Sequence, residues 1–236
     1  MTDADKDLPQ KSSKAAVDAF VEKMRSTPVK KDAGRRGRLM FAMDATASRE
    51  PTWDRACQIQ GDMFSETTAL GGLDIQLCYY RGYGEFETSP WLSSASALLE
   101  RMTSVSCRGG RTQIEKVLRQ AIDQHKNERV QALVFVGDCM EEDVDQLCHL
   151  AGQLGVLGLP VFLFHEGDEA NAQRAFQEIA RLTRGAYCAF DANSAAQLRD
   201  LLSAVAVYAA GGQRALRDFS SRKPALRQLT RQLEKH

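Results

Sequence analysis

Short apolar runs alternate with amphipathic segments along most of the chain. An apolar run of this length is typical of a strand buried on both faces, and apolar residues spaced by three and four are typical of a helix packed on one side. The runs that predict strands lie at 38–43, 73–80, 130–137, 159–165 and 186–190, with a short edge strand within 81–89. We therefore predict an α/β fold: a doubly wound, mostly parallel central sheet flanked by helices on both faces, in the Rossmann-like manner.

The three-four spacing places helices after most of these strands. The predicted helices are a segment that starts near Trp53, the segment 91–105, and then Ile114 to Ile122, Glu141 to Leu154, Asn171 to Thr183 and Ser194 to Ala209. The chain is thus predicted to have three parts. They are a basic N-terminal arm (1–37) with a short helix from Ser13 to Arg25, one domain (38–210), and a basic helical C-terminal tail (211–236).

Composition fits one cytoplasmic domain. Of the 236 residues 43% are apolar and 26% are charged, which is the content of an ordinary globular core. The longest apolar stretches fall well short of the ~20 residues of a membrane helix, and the N-terminus lacks the apolar run of a signal peptide. The six cysteines form no CxxC pair, so we expect buried free thiols in a reducing compartment.

The formal net charge of zero is unevenly distributed. Residues 1–38 carry ten basic and six acidic groups, residues 39–212 carry fourteen and twenty-three, and residues 213–236 carry seven and two. The acidic body therefore has two basic ends, which either fold back on it or contact an anionic partner. Nucleic acid is the less favoured partner, because the aromatic residues of these ends, Phe20 and Phe219, belong to apolar helical faces.

Polar oxygen-bearing side chains cluster where a doubly wound sheet binds its ligands, beyond the carboxyl ends of the strands. Asp44, Thr46 and Ser48 follow the first predicted strand, Thr112 lies in a glycine-containing turn before a helix, and Asp138 follows the strand 130–137. Two carboxylates and three hydroxyls are hard oxygen ligands, and Mg²⁺ takes one or two carboxylates while keeping several waters. Thr46 and Ser48 could bind such an ion directly, with the two aspartates bound through water.

This order of residues resembles the metal-ion-dependent adhesion site (MIDAS) of von Willebrand factor A (VWA) domains. That site is built from a D-x-S-x-S loop after the first strand, a Thr in a later loop and an Asp after the fourth strand. The matching residues are Asp44, Thr46, Ser48, Thr112 and Asp138. The chain departs from the family pattern in four places. In the first loop Thr46 replaces the middle Ser and Ala47 replaces the usual Gly. Arg111 interrupts the later Gly-Gly-Thr, and Gly137-Asp138-Cys139 replaces the usual Thr-Asp-Gly. None of these departures removes a ligating oxygen.

The resemblance implies a binding module and not an enzyme. Mg²⁺, with Mn²⁺ or Ca²⁺ as alternatives, would keep an open coordination position that a carboxylate of a protein partner completes. It also implies an intracellular multiprotein assembly, in which an ATPase or a chaperone could be the neighbour. The residues expected to form the partner-binding rim are Arg49, Glu50, Arg111, Glu141 and Glu142. Solvated charges and acids at helix N-termini are the alternative interpretation of this rim.

The same residues also fit a second class, a Mg²⁺-dependent phosphohydrolase similar to the haloacid dehalogenases. In that reading Asp44 is the nucleophile, and Asp138 with Asp143 forms the metal-binding acidic motif. That family needs a basic residue on the phosphoryl group and, in most members, an Asp where Thr46 stands. Lys116 and Lys126 fall inside a helical pattern, so the adhesion-type reading is favoured. A hydrolase centred on Cys139 with His149 or His165 has no motif to support it.

Overall fold

A computed structural model describes residues 14–27, 36–67, 72–190 and 195–222. Six strands form one sheet in the order β3-β2-β1-β4-β5-β6, in which β3 alone is antiparallel to its neighbour. Their bounds are β1 Gly37–Asp44, β2 Leu73–Arg81, β3 Glu85–Thr88, β4 Ala132–Gly137, β5 Val161–Glu166 and β6 Ala186–Phe190. The predicted doubly wound, mostly parallel sheet is therefore confirmed.

Helices cover both faces of the sheet. They are α1 Lys14–Ser26, α2 Glu50–Ser65, α3 Ala95–Thr103, α4 Ile114–Asn127, α5 Val144–Leu157, α6 Ala170–Leu182 and α7 Ala195–Arg222. Successive side chains of a strand point to opposite faces. Accordingly Leu39 and Phe41 of β1 join a core with α1, α2, α3 and α7, whereas Met40 and Ala42 join a core with α4, α5 and α6.

The predicted start of the fifth helix is wrong, whereas the predicted end of the last helix lies close to a break in the structure. The fifth helix begins at Val144 and not at Glu141, because the side chain of Asp143 accepts a hydrogen bond from the backbone N–H of Gln146 and so caps the helix. In α7 the backbone angles of Gly212 are non-helical, so this residue separates a first helix from a second one that ends at Arg222. The break agrees with the predicted helix up to Ala209 and with a separate helix at the beginning of the predicted tail.

Both ends of the described chain pack on the body of the domain. Phe20 of α1 lies against Phe162 and Phe164 of β5, with ring centroids 5.8 and 5.2 Å apart. Beyond the break, Leu216 and Phe219 of α7 are buried in the same core. The remaining parts of the predicted arm and tail, residues 1–13, 28–35 and 223–236, lie outside the described residues.

None of the described helices combines the length and apolar character that a membrane span requires. All six cysteines are free thiols, but only Cys78 and Cys188 are buried as expected, whereas the other four are half-buried. Burial raises the pKa of each of these two thiols to about 12. They are therefore protonated core residues of low reactivity, as the sequence predicts.

Candidate metal centre

Two neighbouring strands end beside each other, each with an aspartate at its carboxyl end. β1 ends at Asp44, Asp138 follows β4 directly, and Met43 is opposite Val136 in the parallel register. The sheet extends from β1 to β2 in one direction and to β4 in the other. Ligands of doubly wound sheets bind at such a switch point.

The loop after β1 is shaped by its own polar side chains. Asp44 Oδ1 accepts a hydrogen bond from the backbone N–H of Thr46 at 2.7 Å, which turns the chain away from the strand. A short 3₁₀ turn, Ala47–Arg49, follows and leads into α2, which has a proline in its first turn. This turn leaves the hydroxyl oxygens of Thr46 and Ser48 3.3 Å apart.

Asp138 faces this loop across the strand ends. The Ser48 hydroxyl donates to Asp138 Oδ2 at 2.9 Å. The other carboxylate oxygen, Oδ1, is buried and has no hydrogen-bond partner within the part of the chain that the structure describes. A buried carboxylate oxygen without a partner carries a large free-energy cost unless a ligand satisfies it.

Asp44 lies deeper than Asp138. Its side chain is buried, and its Oδ2 accepts a hydrogen bond from the Tyr80 hydroxyl at 3.2 Å. Burial raises the pKa of Asp44 above its ordinary value, an effect that the hydrogen bonds from Thr46 partly offset. Tyr80 is also buried, and burial together with the charges of Asp44, Glu142 and Asp138 raises its pKa well above the ordinary value. Tyr80 is therefore a hydrogen-bond donor to the site, a role that the sequence analysis did not assign.

Thr112 is held by the loop after β4. Its hydroxyl accepts a hydrogen bond from the backbone N–H of Glu141 at 3.0 Å, and its own N–H donates to Glu141 Oε2 at 3.2 Å. The neighbouring Arg108 N–H donates to the carbonyl of Ala45 at 3.0 Å, which ties the loop of Thr112 to the loop after β1. Thr112 thus belongs to the same loop cluster, but no hydrogen bond joins its hydroxyl to Asp44 or Asp138 in the described structure.

Arg49 does not lie on the rim, where the sequence analysis placed it. Its side chain is buried, with 1% of the residue exposed, and its guanidinium pairs with Glu166 at the end of β5. Thr52 donates to the same carboxylate. The pair forms because the 3₁₀ turn directs Arg49 into the sheet, towards β5. Arg49 therefore connects the loop after β1 to the end of β5 inside the protein.

The other predicted rim residues have two kinds of surroundings. Glu50, Arg111 and Glu141 are exposed. Glu142 is half-buried, and its two oxygens accept the backbone N–H groups of Ile114 and Glu115 at 2.5 and 2.8 Å. Glu142 therefore fits the alternative interpretation, in which the acid stabilises a helix N-terminus. The helix is α4, however, and not α5, which follows Glu142 in sequence.

His165 is a further support that the sequence analysis did not place in the site. Its Nε2 lies 3.1 Å from the carbonyl oxygen of Asp138, and its Nδ1 lies 2.9 Å from the Tyr187 hydroxyl. Burial lowers the pKa of His165, which favours the neutral ring. The histidine at the end of β5 therefore positions the backbone at Asp138.

Two residues that the phosphohydrolase alternative requires, Asp143 and Lys116, have other contacts. Asp143 caps α5, as described above, and Lys116 Nζ donates to the carbonyl of Gly84 and to Gln113 Oε1, both at 2.8 Å. Lys126 is exposed in the last turn of α4. None of these observations favours a phosphoryl-transfer site at Asp44.

The donor set fits a small divalent cation. Two cis ligands of an octahedral ion at 2.1 Å are about 3 Å apart, close to the separations of the Thr46, Ser48 and Asp138 oxygens. Within the described ranges no three or more His, Cys, Asp or Glu side chains form a metal-binding group. A divalent ion held here would therefore need the hydroxyls as well as the two carboxylates as ligands.

Comparisons with known proteins support the fold and not a closer relationship. Neither the models of known protein families nor the curated protein sequences give a match to this sequence. Solved structures do match. The VWA domain of SpRpn10 has a TM-score of 0.53 and 14% identity over 81% of this chain and 97% of that chain. The D319A mutant of the PilB minor pilin from Streptococcus sanguinis has a TM-score of 0.58 and 9% identity over 83% and 65%.

A third neighbour contains a metal ion in its own structure. Proximal thread matrix protein 1 from the mussel byssus, with a zinc-occupied MIDAS motif, has a TM-score of 0.57 and 14% identity over 72% of this chain and 46% of that chain. The chain thus spans less than two thirds of the PilB pilin and under half of the mussel protein. At these identities the comparisons show a shared α/β Rossmann-like fold, which is the fold of the VWA neighbours.

Proposed function

We propose that the chain is a metal-ion-dependent protein-binding module. The proposed Mg²⁺ ligands, direct or through water, are Asp44, Thr46, Ser48, Thr112 and Asp138. Bound there, the ion supplies a positive centre with an open position for a carboxylate of the partner protein. Mn²⁺ and Ca²⁺ are alternatives with the same preference for oxygen. No catalytic role is proposed.

The observation that carries the proposal is the incomplete hydrogen bonding of the Asp138 carboxylate. One of its oxygens contacts the Ser48 hydroxyl, and the other is buried without a hydrogen-bond partner among the described residues. The unpartnered oxygen lies at the edge where a ligand is expected. A divalent cation is the ligand that satisfies a buried carboxylate and two hydroxyls at once.

The chain's own residues prepare this site. Tyr80 and the backbone of Thr46 hold the two oxygens of Asp44, and Glu141 holds Thr112. Glu50, Arg111 and Glu141 are exposed around the site and would contact the partner. The proposed setting is the cytoplasm, within a multiprotein assembly that could include an ATPase or a chaperone. The free cysteines support a reducing compartment.

Thermal unfolding with EDTA, Mg²⁺, Mn²⁺ or Ca²⁺ tests the metal site. An ion that binds the folded state alone stabilises it by about 2.7 kcal/mol at a concentration one hundred times its Kd. We expect Mg²⁺ or Mn²⁺ to raise the midpoint of the wild type, and Asp138→Asn to remove this increase. Asp123→Asn is the matched control, because it makes the same chemical change at an exposed position towards the C-terminal end of α4.

Two results would contradict the proposal. In one, no ion changes the midpoint of the wild type. In the other, Asp138→Asn retains the full increase, which would place the ion at a different site.

A further inference from the structure

An exposed tyrosine stands on a tight turn beside the candidate metal centre. The turn Gly82-Tyr83-Gly84 joins β2 to β3, and both glycines have positive φ, 59° and 131°. Residues with a side chain rarely adopt these angles, so the two glycines allow the turn to form. Tyr83 lies between them with 85% of its surface exposed. Tyrosine is among the residues that most often anchor a protein–protein interface.

The turn that contains Tyr83 is hydrogen-bonded to the loop that contains Thr112. The Arg111 N–H donates to the carbonyl of Gly82 at 3.1 Å, and Lys116 donates to the carbonyl of Gly84. A Cβ on Gly110 would overlap the carbonyl of Gly82, so the two loops are in direct backbone contact. The same loop reaches Ala45 through the Arg108 N–H. The turn, the loop and the metal site are therefore one connected unit.

Two arginines give this unit a positive surface. The side chain of Arg108 is 57% exposed, and its contact with Glu85, at 3.4 Å, is shared with Arg81, which binds the same carboxylate at 2.8 Å. Arg111 is exposed and forms no ion pair with any residue that the structure describes. Glu85 is thus shared by two arginines, Arg81 and Arg108, and Arg111 adds a third positive charge nearby in the chain, on a body in which acidic groups outnumber basic groups by twenty-three to fourteen.

The opposite side of the metal centre is acidic. Asp143 lies in the loop after β4, Asp145 lies at the start of α5, and Asp168 lies in the loop after β5; all three are exposed. An acidic ligand is therefore repelled on this side and attracted on the other.

We propose that Tyr83, Arg108 and Arg111 form a docking surface, here called the tyrosine–arginine surface, for an acidic segment of the partner protein. The inference rests on the proposed function, because one carboxylate of that segment would complete the metal coordination. The neighbouring carboxylates would pair with the two arginines, and an apolar or aromatic residue would pack on Tyr83. Charge complementarity then fixes the direction of the segment across the metal centre.

Fluorescence anisotropy of a labelled peptide of eight glutamates, added to the full chain, tests the surface. We compare the wild type with Arg108→Glu/Arg111→Glu in EDTA, where the metal contributes nothing. The double variant is expected to bind about tenfold or more weakly, and Tyr83→Ala several-fold more weakly. The matched control is Arg174→Glu/Arg181→Glu, which makes the same charge change on α6, at the opposite edge of the sheet.

The outcomes separate this inference from the metal proposal. If the wild type and Arg108→Glu/Arg111→Glu bind the peptide equally well, the peptide binds another basic region and the proposed surface is wrong. If the wild type does not bind the peptide at all, the proposed surface is also wrong. Mg²⁺ is expected to strengthen binding by the wild type; if it does not, while the arginine effect persists, the metal proposal fails and the surface stands. Tighter binding of a single-stranded oligonucleotide of equal charge would overturn the choice of an acidic protein segment.

Discussion

Asp44 and Asp138 lie at the ends of neighbouring strands but have different surroundings. Both oxygens of Asp44 accept hydrogen bonds inside the protein, whereas Asp138 keeps one buried oxygen without a partner among the described residues. Burial penalises the charge of Asp44 and raises its pKa from the ordinary 3.8. A carboxyl group whose pKa rises on folding destabilises the fold once it is ionised. The charge of Asp44 is therefore a cost to the fold in the absence of a cation.

Asp44→Asn should consequently separate stability from metal binding. In EDTA near pH 7 we expect the midpoint of thermal unfolding to be unchanged or higher, because the buried charge is gone while the amide can still accept from Thr46. The difference from the wild type should shrink as the pH falls, because protonation of Asp44 removes the same charge. The increase on adding Mg²⁺ should be lost. A variant that keeps this increase would show that Asp44 is not a ligand.

Arg49 and Glu166 give a second prediction for single residues. Arg49→Met leaves Glu166 without its cation and should lower the free energy of unfolding by about 3 kcal/mol, measured by urea denaturation in EDTA. Arg49→Met/Glu166→Met should recover most of this loss, because replacing both partners by apolar residues is often neutral. A single variant as stable as the wild type would show that the buried pair contributes nothing.

At the scale of elements, the loop of Thr112 depends on one glycine. Gly110→Ala places a Cβ against the carbonyl of Gly82, so the loop must move, at a cost of about 1–3 kcal/mol. We expect lower stability in urea denaturation and a weaker response to Mg²⁺, because Thr112 moves with the loop. Gly109→Ala is the matched control: its Cβ would meet nothing within 4 Å, so it should change stability by less than about 0.5 kcal/mol. Equal effects of the two substitutions would contradict the close contact.

The periodicity of the sequence predicts the strands and helices well, because each buried strand and each helix face has its own local signal. The polar residues after β1 and β4 are predicted for the same reason: parallel strands end at one edge, so Asp44 and Asp138 must be neighbours. The start of α5 is missed, because Glu141 and Asp143 are both acceptable near a helix N-terminus. In the structure Asp143 caps the helix, whereas Glu141 binds Thr112, a residue far away in sequence.

The positions of Arg49 and Glu142 could not be predicted from the sequence. An arginine in a polar loop is usually exposed, and its burial here depends on Glu166 at the end of a strand more than one hundred residues later. Glu142 caps α4 only because the sheet brings the loop after β4 to the start of that helix. Both contacts arise from tertiary structure, and local sequence patterns contain no signal for them.

At the scale of the whole molecule, α1 and α7 join the two ends of the described chain. The Tyr208 hydroxyl and the Gln213 side chain, both of α7, donate to the carbonyl of Thr27 at 3.1 and 2.8 Å. Phe20 of α1 reaches the middle of β5 and is 1% exposed. The first described helix is therefore part of the domain core and not only of an arm.

Phe20→Ala should accordingly lower the free energy of unfolding by about 3–5 kcal/mol, measured in urea. The cause is the loss of its contacts with Phe162 and Phe164 and the cavity that remains. Val156→Ala is the control, because Val156 is exposed and its truncation should matter by less than about 0.5 kcal/mol. A Phe20→Ala chain with wild-type stability would mean that α1 does not pack on the sheet in solution.

Direct binding of Mn²⁺, followed by electron paramagnetic resonance, tests the central claim most directly. The account predicts one bound ion per chain, displaced by Mg²⁺, and loss of that ion in Ser48→Ala/Asp138→Asn while the fold is retained. The end of β1, the loop that contains Thr46 and Ser48, and Asp138 would then form one metal site. The absence of protein-bound Mn²⁺, or unchanged binding in the double variant, would contradict the account.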